Sequence, residues 1–159
     1  MSGKESRYKV SVRQDLRPAF LSGKRLKELA LAALELIPAS EADLRIRVAG
    51  DIAIARLNRK FFGKDRPTNV ISFPDEGGPP EAGGVVSGDI MVSAPTCLSQ
   101  TQTWNGSPEE RVFFFILHGM LHLAGYDHVQ GGAQERRMRR KELSLFRRII
   151  PDVNMGGKA

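Results

Sequence analysis

Residues 107–125 spell a helix that has no polar face. Ser107, Pro108, Glu109 and Glu110 form a capping box with proline at the first helical position, which fixes where the helix begins. From there "EERVFFFILHGMLHLAG" is apolar almost all round, until Gly125 supplies a left-handed stop. Such a helix belongs in the middle of a core, so the rest of the chain must pack around it. A chain of 159 residues is the size of one ordinary domain, able to hide roughly 70% of its unfolded surface in a single core.

The remaining segments read as strands and helices to pack against that centre. "YKVSVR" and "ADLRIRVAG" alternate with the period of half-buried strands, the second setting Leu44, Ile46 and Val48 against Arg45 and Arg47. Ser22 precedes "GKRLKELALAALELI", in which Leu26, Leu29, Ala30, Ala33 and Ile37 fall at helical spacing. A second helix after the second strand places Ile54, Leu57, Asn58 and Phe61 on one face. "TNVISF", fenced by Pro67 and Pro74, and "GDIMVS" are two short strands separated by a Gly- and Pro-rich stretch that reads as a mobile loop. "AQERRMRRKELSLFRRII" makes a last helix. The expected organisation is one domain over residues 1–150 and a disordered tail over 151–159.

Composition removes several function classes. Hydrophobic residues at 41% and charged residues at 26% are the balance of a globular chain, which argues against disorder. No run approaches the ~18 apolar residues of a bilayer span, and "MSGKESRYKVSVRQ" lacks the apolar stretch of a signal peptide, so a cytoplasmic location and no membrane partner are expected. Cys97 is alone, which excludes an intrachain disulfide and a cysteine metal cluster and leaves a buried, inert thiol. The net charge of +6 favours polyanionic partners such as nucleic acid.

All three histidines lie in "LHGMLHLAGYDH". His118 and His122, four apart on a helix, stand about 6 Å apart along its axis and can both reach one ion. Gly125 can take the positive φ that turns the chain back, and His128 follows three residues later to approach the same point. Three neutral imidazoles suit one Zn²⁺ or a similar first-row ion, and three protein ligands leave a fourth position open, as in catalytic sites. The spacing H-x-x-x-H-x-x-G-x-x-H is that of the metzincin proteases, except that their glutamate after the first histidine is here Gly119, which removes a protease's general base. A glycine inside a helix costs about 1 kcal/mol against alanine, so Gly119 is expected to make room either for closely packed backbone or for a bulky substrate near the metal.

"HGMLHLAGYDH", together with "FFGKDRPTNVISFPDE" and "GDIMVS", resembles the YbeY family of bacterial metal-dependent endoribonucleases, which act in ribosomal RNA maturation. The similarity runs in order from about Leu44 to His128. It implies an α+β fold, a single domain with a four-stranded mixed sheet packed with helices and the metal site at the end of the central buried helix. It also implies zinc held by His118, His122 and His128, single-stranded RNA as substrate, and ribosomal RNA and the ribosome or its small subunit as partners. One residue departs from the family. An arginine expected to face the metal cleft, just before the "KD" pair, is here Phe62, which cannot bind phosphate. Arg59, Lys60, Lys64 and Arg66 lie nearby and could supply the charge, or could be solvated surface residues.

The last helix offers a second basic surface. Met138, Leu145, Phe146 and Ile149 form an apolar stripe, opposite Arg136, Arg137, Arg140, Lys141, Arg147 and Arg148. Arg137, Lys141 and Arg148 are RNA-binding candidates through counterion release, against the alternative of an ordinary solvated face. Asp127, beside His128, could orient a ligand imidazole, assist proton transfer or hold the turn, and with Lys64 it is a catalytic candidate. The expected function is a zinc-dependent endoribonuclease acting in ribosomal RNA processing and ribosome maturation. A non-catalytic zinc-binding ribosome-assembly factor is the alternative, and a metalloprotease a more distant one.

Overall fold

The fold is given by a computed structural model, which describes residues 7–75, 84–126 and 132–156. Four strands, β1 (Tyr8–Gln14), β2 (Glu41–Ala49), β3 (Val70–Pro74) and β4 (Val85–Ser93), form one sheet in the order β1-β2-β4-β3. β1, β2 and β4 run parallel and β3 is antiparallel to β4, so the sheet is mixed and β3 lies at its edge. The helices are α1 (Gly23–Leu36), α2 (Asp51–Phe62), α3 (Ala94–Gln100), α4 (Pro108–Leu123) and α5 (Gly132–Ile149). The expected α+β architecture is therefore present, with one further helix, α3, that the sequence reading left out. Among the described residues, no helix is long and apolar enough to cross a membrane.

The capping chemistry of α4 forms as its sequence requires. Glu110 N–H donates to Ser107 Oγ at 3.1 Å, and Ser107 N–H donates to Glu110 Oε1 at 2.9 Å. Glu109 Oε2 also accepts from Ser22 N–H at 2.7 Å, which ties the start of α4 to the cap of α1. Val112, Phe113, Ile116, Leu117, Met120 and Leu121 are completely buried, in one large core with α1, α5 and the inward residues of β1, β2 and β4. Burial of this kind contributes about 1.5–3 kcal/mol for each large side chain, and it is what makes α4 a rigid support.

The sheet's second face is covered differently. Ile71 of β3 and Met91 of β4, which are partners across the ladder, pack with Ala49 and with Ile54 of α2 in a smaller cluster that Leu57 and Phe73 join. Beyond α2 this face carries paired charges. Arg45 meets Asp75 at 2.6 Å and its register partner Asp89 at 3.0 Å, and Arg47 meets Asp15 at 2.7 Å. At the start of α2, Ser93 Oγ and Thr96 Oγ1 donate to Asp51 Oδ1 at 2.5 and 2.6 Å, and these two hydroxyls hold its carboxyl below the usual carboxylate range. Cys97 is fully buried, and burial pushes its thiol well above the usual range, as an inert core residue requires.

Two expectations need correction. Phe61, placed on the inner face of α2 by its spacing, is 53% exposed, because the last turn of the helix rests on Phe73 at the sheet edge. Residues 151–156, expected to fray, are docked: Val153 and Met155 pack against the main core, and Asn154 exchanges hydrogen bonds with Asn105. Most of the Gly/Pro-rich segment, residues 76–83, lies outside the described residues.

Candidate active site

α4 carries His118 and His122 on its last two turns, where the helix emerges from the core beside the edge strand. The two Nε2 atoms converge to 3.1 Å, with ring centroids 4.7 Å apart and planes at 70°. Behind His118, its Nδ1 lies 2.5 Å from Glu142 Oε1 of α5. Glu142 is only 7% exposed, one of few polar side chains buried in this structure. A carboxylate against Nδ1 selects the tautomer that donates from Nδ1 and leaves the Nε2 lone pair directed at His122.

The sequence reading passed over Glu142, although a signal was there. The residue lies four after Met138 and four before Phe146, on the apolar stripe of α5, where a carboxylate needs a partner. Gly119, between the histidines, is explained by packing. A Cβ there would meet the side chain of Ile90 on β4 at 3.1–3.4 Å, so its absence lets α4 lie close on the sheet and leaves no room for a protease's glutamate. Gly125 does adopt a positive φ, 97°, and Tyr126 N–H donates back to Leu121 O at 2.9 Å, closing the helix. His128 and Asp127, the expected third ligand and its neighbour, lie outside the described residues. Among the described residues, no three His, Cys, Asp or Glu side chains are grouped to hold a metal.

The histidines form one wall of a cleft of about 450 Å³. Thr68, Asn69, Val70, Ile71 and Ser72 of the edge-strand region line it beside them, and Asn58, Phe62 and Lys64 close it from α2 and the turn that follows. α2 and α4 cover opposite faces of the sheet, so the cleft wraps around the outer edge of β3, which pairs with no further strand among the described residues. Asn58 shapes its rim. The buried amide donates to Arg66 O at 2.9 Å and folds the turn bearing Lys64 over the opening. Of the cations near Phe62, Lys64 lines the cleft, whereas Arg59, Lys60 and Arg66 are exposed outside that lining. Arg137 and Arg148 project into solvent from α5, and Lys141 sits with its Nζ 5.9 Å from the centre of the Tyr126 ring.

The sequence profile of the family described as endoribonuclease YbeY matches residues 14–150, which include α2, both histidines, Glu142 and the cleft. The chain belongs to the YbeY family. An endoribonuclease YbeY from Geobacter sulfurreducens is 37% identical over 139 residues, covering 86% of this chain and 91% of the relative. Another, from Aquifex aeolicus, is 39% identical over 115 residues, covering 72% of this chain and 73% of the relative. The solution structure of TM1509 from Thermotoga maritima superposes with a TM-score of 0.61 at 24% identity, covering 90% of each chain, and supports the fold. The YbeY match extends well beyond the segment that carries the sequence resemblance, back through α1 and on through α5.

Proposed function

We propose that this chain is a zinc-dependent endoribonuclease that cuts single-stranded RNA, with ribosomal RNA as its cellular substrate. The observation that carries this reading is the converging histidine pair, backed by a buried carboxylate, on the wall of a cleft in a chain of the endoribonuclease YbeY family. The donors fit the ion. Two imidazoles on a tetrahedral zinc, each at about 2.0–2.1 Å, place their nitrogens about 3.3 Å apart, close to the 3.1 Å separating the two Nε2 atoms. His118 and His122 would hold it, with His128 the expected third ligand. When bound, the ion supplies Lewis acidity to a phosphodiester oxygen and makes an oxygen nucleophile available near neutral pH.

The chain's own residues supply the rest. Glu142 orients His118, and α4, held on the sheet by the close approach of Gly119 to Ile90, keeps both rings in place. Lys64 offers its ammonium to phosphate at the rim, where Phe62 cannot. Lys64→Ala should therefore slow cleavage by about tenfold or more with an unchanged melting temperature, short of the roughly hundredfold to thousandfold loss of a water-excluded donor because this ammonium is solvated. An unchanged rate would remove Lys64 from the site.

α5 passes the site at Glu142 and bears its arginines outward, which suits it to gather the RNA backbone. Binding should weaken as salt rises. Changing Arg137, Lys141 and Arg148 together to Gln should make the log-log slope shallower by about 2 if all three meet phosphate. An unaltered slope assigns that helix face to solvent.

The central test incubates purified, metal-loaded protein with labelled single-stranded RNA, duplex RNA and casein, with and without chelator. Cleavage of the single strand that chelator stops and zinc restores is the expected result. The absence of the expected arginine at Phe62 favours a second reading, a zinc-binding ribosome-assembly factor without catalysis. Full metal occupancy with no cut in any RNA would select it, and cleavage of casein would select a protease.

A further inference from the structure

The rim of the cleft carries an apolar surface that the fold does not use. Phe61 and Phe62, the last two residues of α2, are 53% and 54% exposed. They are not isolated, for the Phe62 ring lies nearly parallel to Phe73 of β3, with planes at 20° and centroids 6.3 Å apart, and Phe61 tilts against the same ring at 4.9 Å. Phe73 thus backs both rings at one site, and Phe62 itself lines the cleft shared with His118 and His122. A contiguous exposed aromatic group on a protein surface marks a binding site more often than scattered apolar residues do.

The surroundings specify what binds. Lys64 stands in the same cleft, Lys60 Nζ lies 5.3 Å from the Phe61 ring centre, and Arg59 on the last turn of α2 and Arg66 in the segment after it are exposed. Flat apolar rings with the ammonium groups of Lys60 and Lys64 beside them suit a flat, apolar-faced group attached to an anionic chain. An unpaired nucleobase of RNA has that chemistry. The edge strand adds polar groups beside the rings. Ser93 N–H donates to Asn69 O and Asp75 N–H donates to Ser87 O, so the odd-numbered residues of β3 turn their backbone groups to β4. By alternation, Val70 and Ser72 turn theirs to the outer edge, next to the cleft, where they can meet the hydrogen-bonding edge of a base. Pro74 has no N–H to offer a further strand there, which makes the edge a poor template for a peptide. In a duplex, base faces are already stacked, so such a site selects single strands.

We propose that Phe62 and Phe61, backed by Phe73, form a stacking subsite for an unpaired base of the RNA whose phosphodiester lies at the histidines. This rests on the RNA-cutting reading above and adds that the strand is held through a base as well as through its phosphates. The position where the resemblance leads one to expect an arginine is then a stacking position, and Lys64 is the cation in the cleft.

The test measures Kd by fluorescence anisotropy for a short single-stranded oligoribonucleotide and for its fully abasic counterpart, on metal-loaded protein, with intact RNA recovered as a check. The doubly substituted Phe61→Ala, Phe62→Ala chain should bind the base-bearing strand roughly tenfold to a hundredfold more weakly and the abasic strand unchanged. Phe62→Trp should bind as tightly as the native chain or tighter, whereas Phe62→Leu should not. Since both rings are half in solvent, the variants should melt with the native chain, and a thermal melt verifies it. Equal affinity of the native chain for the two strands, or an equal loss for both in the double variant, overturns the subsite, and so does native affinity in Phe62→Leu. If those results accompany RNA cleavage, the nuclease reading stands without the subsite. A native chain that neither binds nor cuts any RNA ends both.

Discussion

His118→Ala and His122→Ala are each expected to lose tightly held metal and to slow RNA cleavage by a hundredfold to a thousandfold, roughly the cost of removing one preorganised charge centre. The two Nε2 atoms stand 3.1 Å apart on adjacent turns of a buried helix, so neither ring can be replaced by a shift of the other. The loss should be separable from unfolding. Both side chains are only partly buried, and the core of α4 is made by its completely buried residues, so the metal-free variants should melt with the metal-free native chain. The native chain alone should gain stability with zinc, by about 2.7 kcal/mol at a hundred times its dissociation constant. Elemental analysis showing full occupancy in either variant would end the metal reading.

Glu142→Ala should weaken metal affinity by about tenfold to a hundredfold, with Glu142→Gln retaining more, because an amide oxygen can still accept from His118 Nδ1–H. The carboxylate lies 2.5 Å from that nitrogen and is nearly closed to solvent, so it acts through the imidazole and not on RNA. A positioning role and a structural one make different demands. Removing one partner of a buried pair can itself destabilise the fold, so the positioning role predicts a loss of metal affinity that Glu142→Gln partly restores, whatever the change in the metal-free melting temperature. A lower melting temperature with unchanged affinity in a chelator competition would make Glu142 structural.

Much of this site was legible before any coordinates. The start and stop of α4 follow from bonds within a few residues, Ser107 with Glu110 and Gly125 after His122, and such local chemistry is written in the order of the chain. The convergence of His118 and His122 follows from helical geometry alone, the first two strands from alternation and the last two from the Pro- and Gly-rich stretches that bound them, within a few residues at each end. α3 escaped notice even though Ser93 and Pro95 sign its start, because at seven residues it offers too short a run for periodicity to register.

The central helix, the pair of histidines facing one point and the family that "HGMLHLAGYDH" announces each depend on residues near one another in the chain, and are written in its order. The rest came from the packing of distant segments. It set Glu142 behind His118 across 24 positions and brought Ile90 against Gly119. It also made β3 an edge, so that the last turn of α2 overhangs Phe73 with two phenyl rings in solvent. These contacts follow from which strands pair and in what order. Periodicity gives a side chain's face on its own element, whereas what that face meets is fixed by the closing of long loops around a shared core.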